Sequence, residues 1–366
     1  MPPTDLTWLG RAFDLAERGR YSVSPNPMVG AVAVRGGHSV GEGFHRRAGG
    51  PHAEILALRR AGGAARGADL YLTLEPCSHY GRTPPCAPAV IEAGVRRVIV
   101  ASKDPNPAVS GRGLAALRRA GIEVVRAPPS WRRRAAAQNE KFFTSIVAGR
   151  PFVLAKWAST LDGRIASAAG ESRWITGEPA RGRALLLREE YDAVLVGAGT
   201  VAADDPRLTR RLGRNRATPH WRIVLDGRLR IAEDARVLRG PGRRLVATAV
   251  PATHPKARRL AARGIEVWSL PSGKAGGVDL RRLLRALAGE GVSSLMVEGG
   301  AETLWSFFHA GLVDRVAAFL APRVLGGGRA KGSVGGRGFR LDETLRLSDV
   351  AVERVGGDLL VTARLA

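Results

Sequence analysis

PHAEILAL at residues 51–58, followed by LEPCSHYGRTPPC at 74–86, carries a histidine, an acid and two cysteines at the joints of helix and strand patterns. His52 and Glu54 stand two apart at the start of a helical pattern. Cys77 follows a Glu-Pro at the end of a strand pattern, and Cys86 follows Pro84-Pro85 and opens another helix. These are the only two cysteines in 366 residues, so a catalytic or metal-binding role is favoured over a disulfide framework. One imidazole and two thiolates make a three-ligand zinc set with the fourth position open to water. Both cysteines lie near expected helix N-termini, where the helix dipole and free N–H groups favour the thiolate. Zinc in such a site brings the pKa of bound water to about 7, and Glu54 is placed to accept the proton and pass it on. The competing reading is a closed structural site, for which His45 or His79 would supply the fourth ligand.

H-x-E followed by P-C is the pattern of zinc deaminases acting on aminopyrimidine-type rings, with the glutamate as proton shuttle and not a ligand. The spacing departs from the usual C-x-x-C. Eight residues separate the two sulfurs, and the insert SHYGRTPP carries His79 and Arg82, candidates for one wall of a pocket that holds a phosphate or a polar ring.

Around this stretch, helical and strand patterns alternate. Residues 6–18 read as a helix, 29–34 and 39–44 as a hairpin around Gly36-Gly37, 52–61 as a helix and 68–74 as a strand. Further elements are expected at 87–93 (helix), 97–102 (strand), 114–120 (helix) and 122–125 (strand), giving an α/β layered domain. A seam falls near 127–151, where a Pro-led segment runs as one helix and ends at Gly149-Arg150-Pro151.

The chain carries 57 Lys and Arg against 33 Asp and Glu, a net charge of +24. Residues 1–150 contribute +11 and the rest +13, so the excess is spread along the chain with no basic arm. Only six of the basic residues are Lys, and the richness in Arg, Ala, Gly and Pro reads as compositional bias rather than a nucleic-acid interface. The opening residues read as an amphipathic helix rather than a leader, and no apolar stretch reaches spanning length, so a cytoplasmic protein without a membrane segment is expected.

HAE, EPCSHYGRTPPC, DPNP at 104–107, GRG at 111–113 and PNPMVGAV at 25–32 together resemble the bacterial bifunctional riboflavin-biosynthesis deaminase/reductase, the RibD family. The resemblance covers roughly residues 5–365. It implies an N-terminal cytidine-deaminase-like three-layer domain over 1–148 and a C-terminal dihydrofolate-reductase-like domain over 149–366. It also implies a zinc ion on the first domain and NADPH on the second, a phosphorylated aminopyrimidine substrate and a homo-oligomer. Asn26, His45 and His79 are implied to hold that substrate in the first domain.

In the second domain, strands are expected at 152–158, 193–196, 222–225, 245–248, 266–269, 294–297 and 316–320. Helices fall at about 178–190, 255–263, 279–289 and 301–310, and 346–355 with 359–364 close as an antiparallel pair. AVLVGAGTVAADDPRLT at 193–209 and MVEGGAETL at 296–304 are strand–glycine joints whose N–H groups suit phosphate, which points to a nucleotide cofactor. Gly197-Ala-Gly199 formally matches a Rossmann fingerprint, but no acidic residue ends a strand about 20 residues later, so that fold is disfavoured. LDGRIA, ESRWIT, ADDPRLT and VEGG are similar to landmarks of the family's reductase half. Carried over by motif, Ala158, Trp174, Thr200, Asp204 and the run Gly300, Ala301, Glu302, Thr303, Leu304, Trp305 and Ser306 are implied to line the cofactor. Ser172, Arg188, Leu208, Arg211 and Glu298 are implied to meet the substrate. From the residues themselves, Lys156 and Asp205 are added as a pair able to supply the proton that imine reduction needs. The alternative reading is a nucleobase or tRNA deaminase fused to an unrelated nucleotide-binding domain.

Overall fold

The computed structural model describes residues 1–80, 84–107, 109–213, 220–273 and 277–366. The chain divides into two compact units, one from Met1 to Gly149 and one from Arg150 to Ala366.

The first unit is a five-stranded sheet in the order β2-β1-β3-β4-β5, built from β1 (Gly30–Arg35), β2 (His38–Phe44), β3 (Asp69–Leu72), β4 (Arg97–Val100) and β5 (Glu123–Arg126). The first three are antiparallel and the last three parallel. Apolar residues of the sheet feed two buried clusters. One holds Leu70, Leu72, Val98 and Val100 against α2 (Ala53–Ala61), α3 (Cys86–Glu92) and α4 (Arg112–Arg119). The other holds Val32, Tyr71 and Ile99 against α1 (Pro3–Glu17) and α5 (Pro129–Gln138). Two clusters carried by alternate residues are what strands covered on both faces require. The close seat of α2 depends on two glycines of β2. A Cβ on Gly41 would meet the Ala57 carbonyl oxygen at 2.2 Å, and one on Gly43 the Ala53 oxygen at 2.3 Å. That seat fixes the N-terminus of α2, where His52 is the cap residue.

The single helix expected after residue 127 is two. α5 and α6 (Glu140–Ala148) are separated at Asn139, whose φ of −113° leaves the helical region. The buried Asn139 side chain has another task. Its Oδ1 accepts from Met28 N at 2.7 Å and its Nδ2 donates to Met28 O at 2.9 Å.

The second unit is a nine-stranded sheet in the order β11-β10-β9-β8-β12-β6-β13-β16-β15. Its strands are β6 (Phe152–Thr160), β8 (Ala193–Gly197), β9 (Trp221–Leu225), β10 (Arg243–Thr248), β11 (Glu266–Ser269), β12 (Ser294–Val297), β13 (Arg315–Ala321), β15 (Leu347–Val355) and β16 (Asp358–Leu365). The seven from β11 to β13 are parallel, and β16 and β15 close one edge as an antiparallel pair. α7 (Glu178–Glu190), α9 (Pro255–Ala262), α10 (Leu280–Gly289) and α11 (Ala301–His309) fall where the periodicity predicts them. Two features escape it. Residues after Gly197 form a short helix, α8 (Ala198–Asp204), and the Gly-rich stretch 326–338, whose composition reads as a loop, carries β14 (Lys331–Gly332), paired with β7 (Arg164–Ala166).

Candidate active sites

In the first unit, the N-terminus of α2, the loop after β3 and the N-terminus of α3 bring His52, Cys77 and Cys86 together. Their ligand atoms all lie within 4.8 Å of one another, and this is the one group of its kind among the described residues. His52 Nδ1 is 3.1 Å from Cys86 Sγ and 3.5 Å from Cys77 Sγ. A tetrahedral zinc ion with Zn–S near 2.3 Å and Zn–N near 2.0 Å sets N···S at about 3.5 Å, so the donor set fits zinc. Cys86 N–H donates to Cys77 Sγ at 3.3 Å. Hydrogen bonds from Cys86 and His52 hold the Cys77 thiol well below the usual range, whereas the neighbouring Cys77 sulfur and burial push Cys86 up.

Neither candidate for a closing fourth ligand joins this group. His45 is buried with both ring nitrogens engaged, Nδ1 with Pro51 O at 3.1 Å and Nε2 with Asn26 Nδ2 at 3.0 Å. His79 is exposed and lines the cavity instead. Glu54 is buried beside His52, with Oε2 lacking a hydrogen-bond partner. Burial pushes its carboxyl up to about 7, against the pull of His52. A cavity of about 310 Å³ opens over these groups, lined by Asn26, His45, His52, Glu54, Cys77 and His79 together. Arg82 lies outside the described residues.

The cavity has walls to which sequence reasoning assigned no role. Asp104, Asn106, Val109 and Phe142 line it, as does Glu75. Glu75 is 4% exposed, and its carboxylate accepts from Gly111 N at 2.8 Å and Gly113 N at 3.0 Å, tying the Cys77 loop to the N-terminus of α4. The signals were in view. Glu75 stands two residues before Cys77, and DPNP and GRG serve above only to carry the resemblance. Phe142 had none, because its place depends on the break at Asn139.

In the second unit, Ala158, Gly197 and Val297 stand near the carboxyl ends of the neighbouring parallel strands β6, β8 and β12, where open α/β sheets bind ligands. α8 brings Thr200 and Asp204 there, and α11 brings Gly300 to Ser306. A Cβ on Gly300 would meet Thr200 Oγ1 at 2.7 Å, and one on Gly197 would meet Thr303 Oγ1 at 2.2 Å, so the two joints close on one another. The first N–H groups of α11 have no acceptor within the helix, and such a cradle fits a phosphate of a dinucleotide. Of the α11 residues, Leu304 packs wholly into the core and Thr303 is buried. Glu302 Oε1 accepts from Gly336 N at 3.1 Å, Ser306 Oγ donates to Glu302 O, and Trp305 stacks on His309 with ring centroids 5.1 Å apart. These five residues from Glu302 therefore face several ways, and only part of the run can offer side chains to one ligand. Trp174 is 64% exposed, with the Arg181 guanidinium over its ring.

Of the substrate candidates, Ser172 donates to Asp204 Oδ1 at 3.1 Å. Arg188 and Glu298 spend much of their capacity on each other. Arg188 Nε and Nη2 donate to the Glu298 carboxylate at 2.8–3.0 Å and Nη1 donates to Thr209 O at 3.1 Å. The Leu208 side chain is in the core, which leaves only its backbone for contacts. Arg211 is exposed, and burial together with the charges of Arg188 and Arg207 lowers its pKa.

The expected Lys156–Asp205 pair does not form. Burial lowers the Lys156 pKa and the carboxylate acting on it is Glu298, which Arg188 and Lys156 together hold at about 2 against the burial cost. Asp205 ends α8 and accepts from Arg236 N at 2.8 Å. The reason is topological: Lys156 lies on β6 beside β12, which leads into Glu298.

Residues 3–102 match the cytidine and deoxycytidylate deaminase zinc-binding region, and residues 151–361 match the RibD C-terminal domain. The riboflavin biosynthesis protein RibD of Aquifex aeolicus is 43% identical over 357 residues, covering 98% of this chain and 97% of its own. The chain belongs to the RibD family. The RibD protein of Escherichia coli K12 is 41% identical, covering 88% of this chain and 89% of its own. Among solved structures, Acinetobacter baumannii RibD matches with a TM-score of 0.89 at 37% identity over 99% of both chains. The diaminohydroxyphosphoribosylaminopyrimidine deaminase/5-amino-6-(5-phosphoribosylamino)uracil reductase of Thermotoga maritima matches with a TM-score of 0.86 at 35% identity, again over 99% of both. The RibD-family match across residues 151–361 sets aside the alternative of a deaminase fused to an unrelated domain.

Proposed function

We propose that the unit Met1–Gly149 deaminates 2,5-diamino-6-ribosylamino-4(3H)-pyrimidinone 5′-phosphate and that the unit from Arg150 reduces the resulting 5-amino-6-(5-phosphoribosylamino)uracil with NADPH to the ribitylamino product. The observation that carries the first step is a buried carboxyl, Glu54, poised near neutrality beside one imidazole and two sulfurs. Zinc, when bound by His52, Cys77 and Cys86, supplies the Lewis acidity that makes water nucleophilic at neutral pH. Glu54 accepts the proton of the attacking water and passes it to the ring nitrogen, then takes the proton of the new C–OH group and delivers it to the amino group, which leaves as ammonia as the C=O forms. Asn26, His45 and His79 orient the ring from the cavity wall, and the bonds of His45 to Pro51 and Asn26 keep its imidazole in place. Arg82 belongs to the same proposal as a contact for the phosphate.

In the second unit, the joints at Gly197 and Gly300 with Ala158, Trp174, Thr200, Asp204 and the first turn of α11 form the cofactor side. NADPH, when bound, supplies the hydride. Reduction of a C=N bond also consumes a proton, and Lys156 is the acid held in the site. Glu298, itself held by Arg188, is the carboxylate acting on it, while Ser172, Arg211 and the Leu208 backbone meet the substrate. Among the described residues no helix is long and apolar enough to cross a membrane. A cytoplasmic homo-oligomer completes the proposal, and the even spread of charge supports the reading without a nucleic-acid partner.

The test is stoichiometric turnover. Incubated with the phosphorylated diaminopyrimidine, the protein is expected to release one ammonia per NADPH oxidised and to contain one zinc per chain. Ammonia release without NADPH oxidation on either the substrate or its deaminated product would defeat the two-step reading.

A further inference from the structure

The loop from Asp205 to Leu212 follows α8 and carries Arg207, Leu208 and Arg211. Three successive carbonyls on it are held by side chains from the start of β9 and from α7. Arg207 O accepts from Arg222 Nη1 at 3.3 Å, Leu208 O from His220 Nε2 at 2.8 Å, and Thr209 O from Arg188 Nη1 at 3.1 Å. Further along, Arg211 N and Leu212 N both donate to the buried Glu189 carboxylate at 3.0 and 2.9 Å. The centre of this grip is Leu208, a non-glycine residue at φ +53°, a backbone conformation that L residues seldom adopt unless their surroundings impose it. Two things impose it here: the Leu208 side chain, 3% exposed in the core, and the His220 bond on its carbonyl.

The consequence falls on the arginines at either side. Arg207 and Arg211 are exposed while Leu208 between them is buried, and the turn at Leu208 sets where each points. Burial first, and then the charges of Arg188 and Arg207, depress the Arg211 pKa, and Glu298 is the acidic group acting back on it. This concentration of positive charge suits a dianionic phosphate monoester.

We propose that His220 is a positioning residue of the reductase half, whose Nε2–H bond to the Leu208 carbonyl holds the left-handed turn and so aims Arg207 and Arg211 at the phosphate of the phosphoribosyl substrate. The chemistry of the imidazole agrees. Burial and the charge of Arg210 pull its pKa down to about 3, so it stays a neutral donor across the working range and adds no charge among the arginines. Arg222 anchors the same loop more broadly, with four donated bonds to the carbonyls of Arg207, Arg239, Gly240 and Pro241, and its loss would disturb the core as a whole. His220 grips the loop at one carbonyl and is therefore the residue to test. The inference rests on the reductase reading above.

The experiment compares the full-length protein with His220→Ala and His220→Gln, using the deaminated substrate with and without its 5′-phosphate. Denaturant unfolding of the second unit serves as the control for folding, ammonia release from the first unit normalises protein concentration, and ribose 5-phosphate titration followed by calorimetry gives a readout independent of turnover. In His220→Ala, the KM for the phosphorylated substrate is expected to rise about tenfold and the ribose 5-phosphate affinity to fall by about the same factor. kcat and the rate on the dephosphorylated substrate should stay within about twofold of the parent, and His220→Gln, which keeps an N–H donor, should recover most of the loss. Equal losses on both substrates, or unchanged phosphate affinity in both variants, would overturn the assignment. Absence of NADPH oxidation by the unmodified protein would instead remove the reductase reading itself, and the assignment with it.

Discussion

The two units assemble their chemistry in different ways. In the first, the metal ligands and the proton carrier come from 35 residues of chain, His52 to Cys86, with sequence separations of 25 and 34 between the contacting pairs. In the second, the buried ion pair at the centre of the site joins Arg188 to Glu298 across 110 residues, and Lys156 comes from a third element. A metal site needs a few soft donors at fixed spacing, which two helix N-termini and one strand end provide locally. A buried charge cluster needs partners that neutralise one another, and only a sheet that places β6 beside β12 delivers them.

The largest effect is expected from Glu54→Gln. It should cut ammonia release by about a thousandfold while NADPH oxidation on deaminated substrate stays within about twofold. Zinc removal by chelation should abolish the same activity and spare the same reduction, with metal content followed by atomic absorption. Parallel loss of both activities would mean that the units do not work separately.

Glu298→Ala probes the other pole. It leaves the Arg188 guanidinium, 11% exposed at its side chain, and the Lys156 ammonium without their carboxylate. The cost should be about 3–5 kcal/mol in the denaturant unfolding of the second unit, with the unfolding of the first unchanged. The pH dependence has a definite sign. The folded pKa of Glu298 is depressed to about 2. The stability that its charge contributes is therefore present above the unfolded value of about 4.3 and lost as pH falls toward 2. The gap in urea midpoint between the parent protein and Glu298→Gln should accordingly narrow across that window, and a constant gap would count against the ion pair as its source.

A smaller effect separates positioning from chemistry in the first unit. Asn139→Ala removes both hydrogen bonds to the Met28 backbone, two residues from Asn26 in the cavity wall. It should cost about 1–3 kcal/mol and raise the deaminase KM more than it lowers kcat, leaving the reductase kinetics unchanged.

These contrasts explain what was legible. The α2 helix, the β1–β2 hairpin and the parallel strands of the second unit follow from period and turn chemistry. H-x-E with two Pro-preceded cysteines announces its donors because their spacing is local. Asn139 looked like one more residue of a helix, since nothing in QNEKFF reports that its amide pairs with Met28, 111 residues earlier. Nothing local distinguishes Glu298 from Asp205 as the carboxylate for Lys156, a choice that β6 and β12 make by lying side by side. α8 leaves little trace because AGTVAAD carries a glycine and is only seven residues long.

The α/β class, the order of most elements, the imidazole and two sulfurs, and the acid beside them are written in the linear chain, because each depends on short-range spacing and side-chain chemistry. Tertiary structure alone decided which carboxylate meets Lys156, that Arg188 and Glu298 satisfy each other, that Glu75 ties its loop to α4, and that three carbonyls of the 205–212 loop are gripped by Arg222, His220 and Arg188. Those outcomes depend on strand order and on the need of every buried charge and carbonyl for a partner, and a linear pattern carries no record of who that partner is.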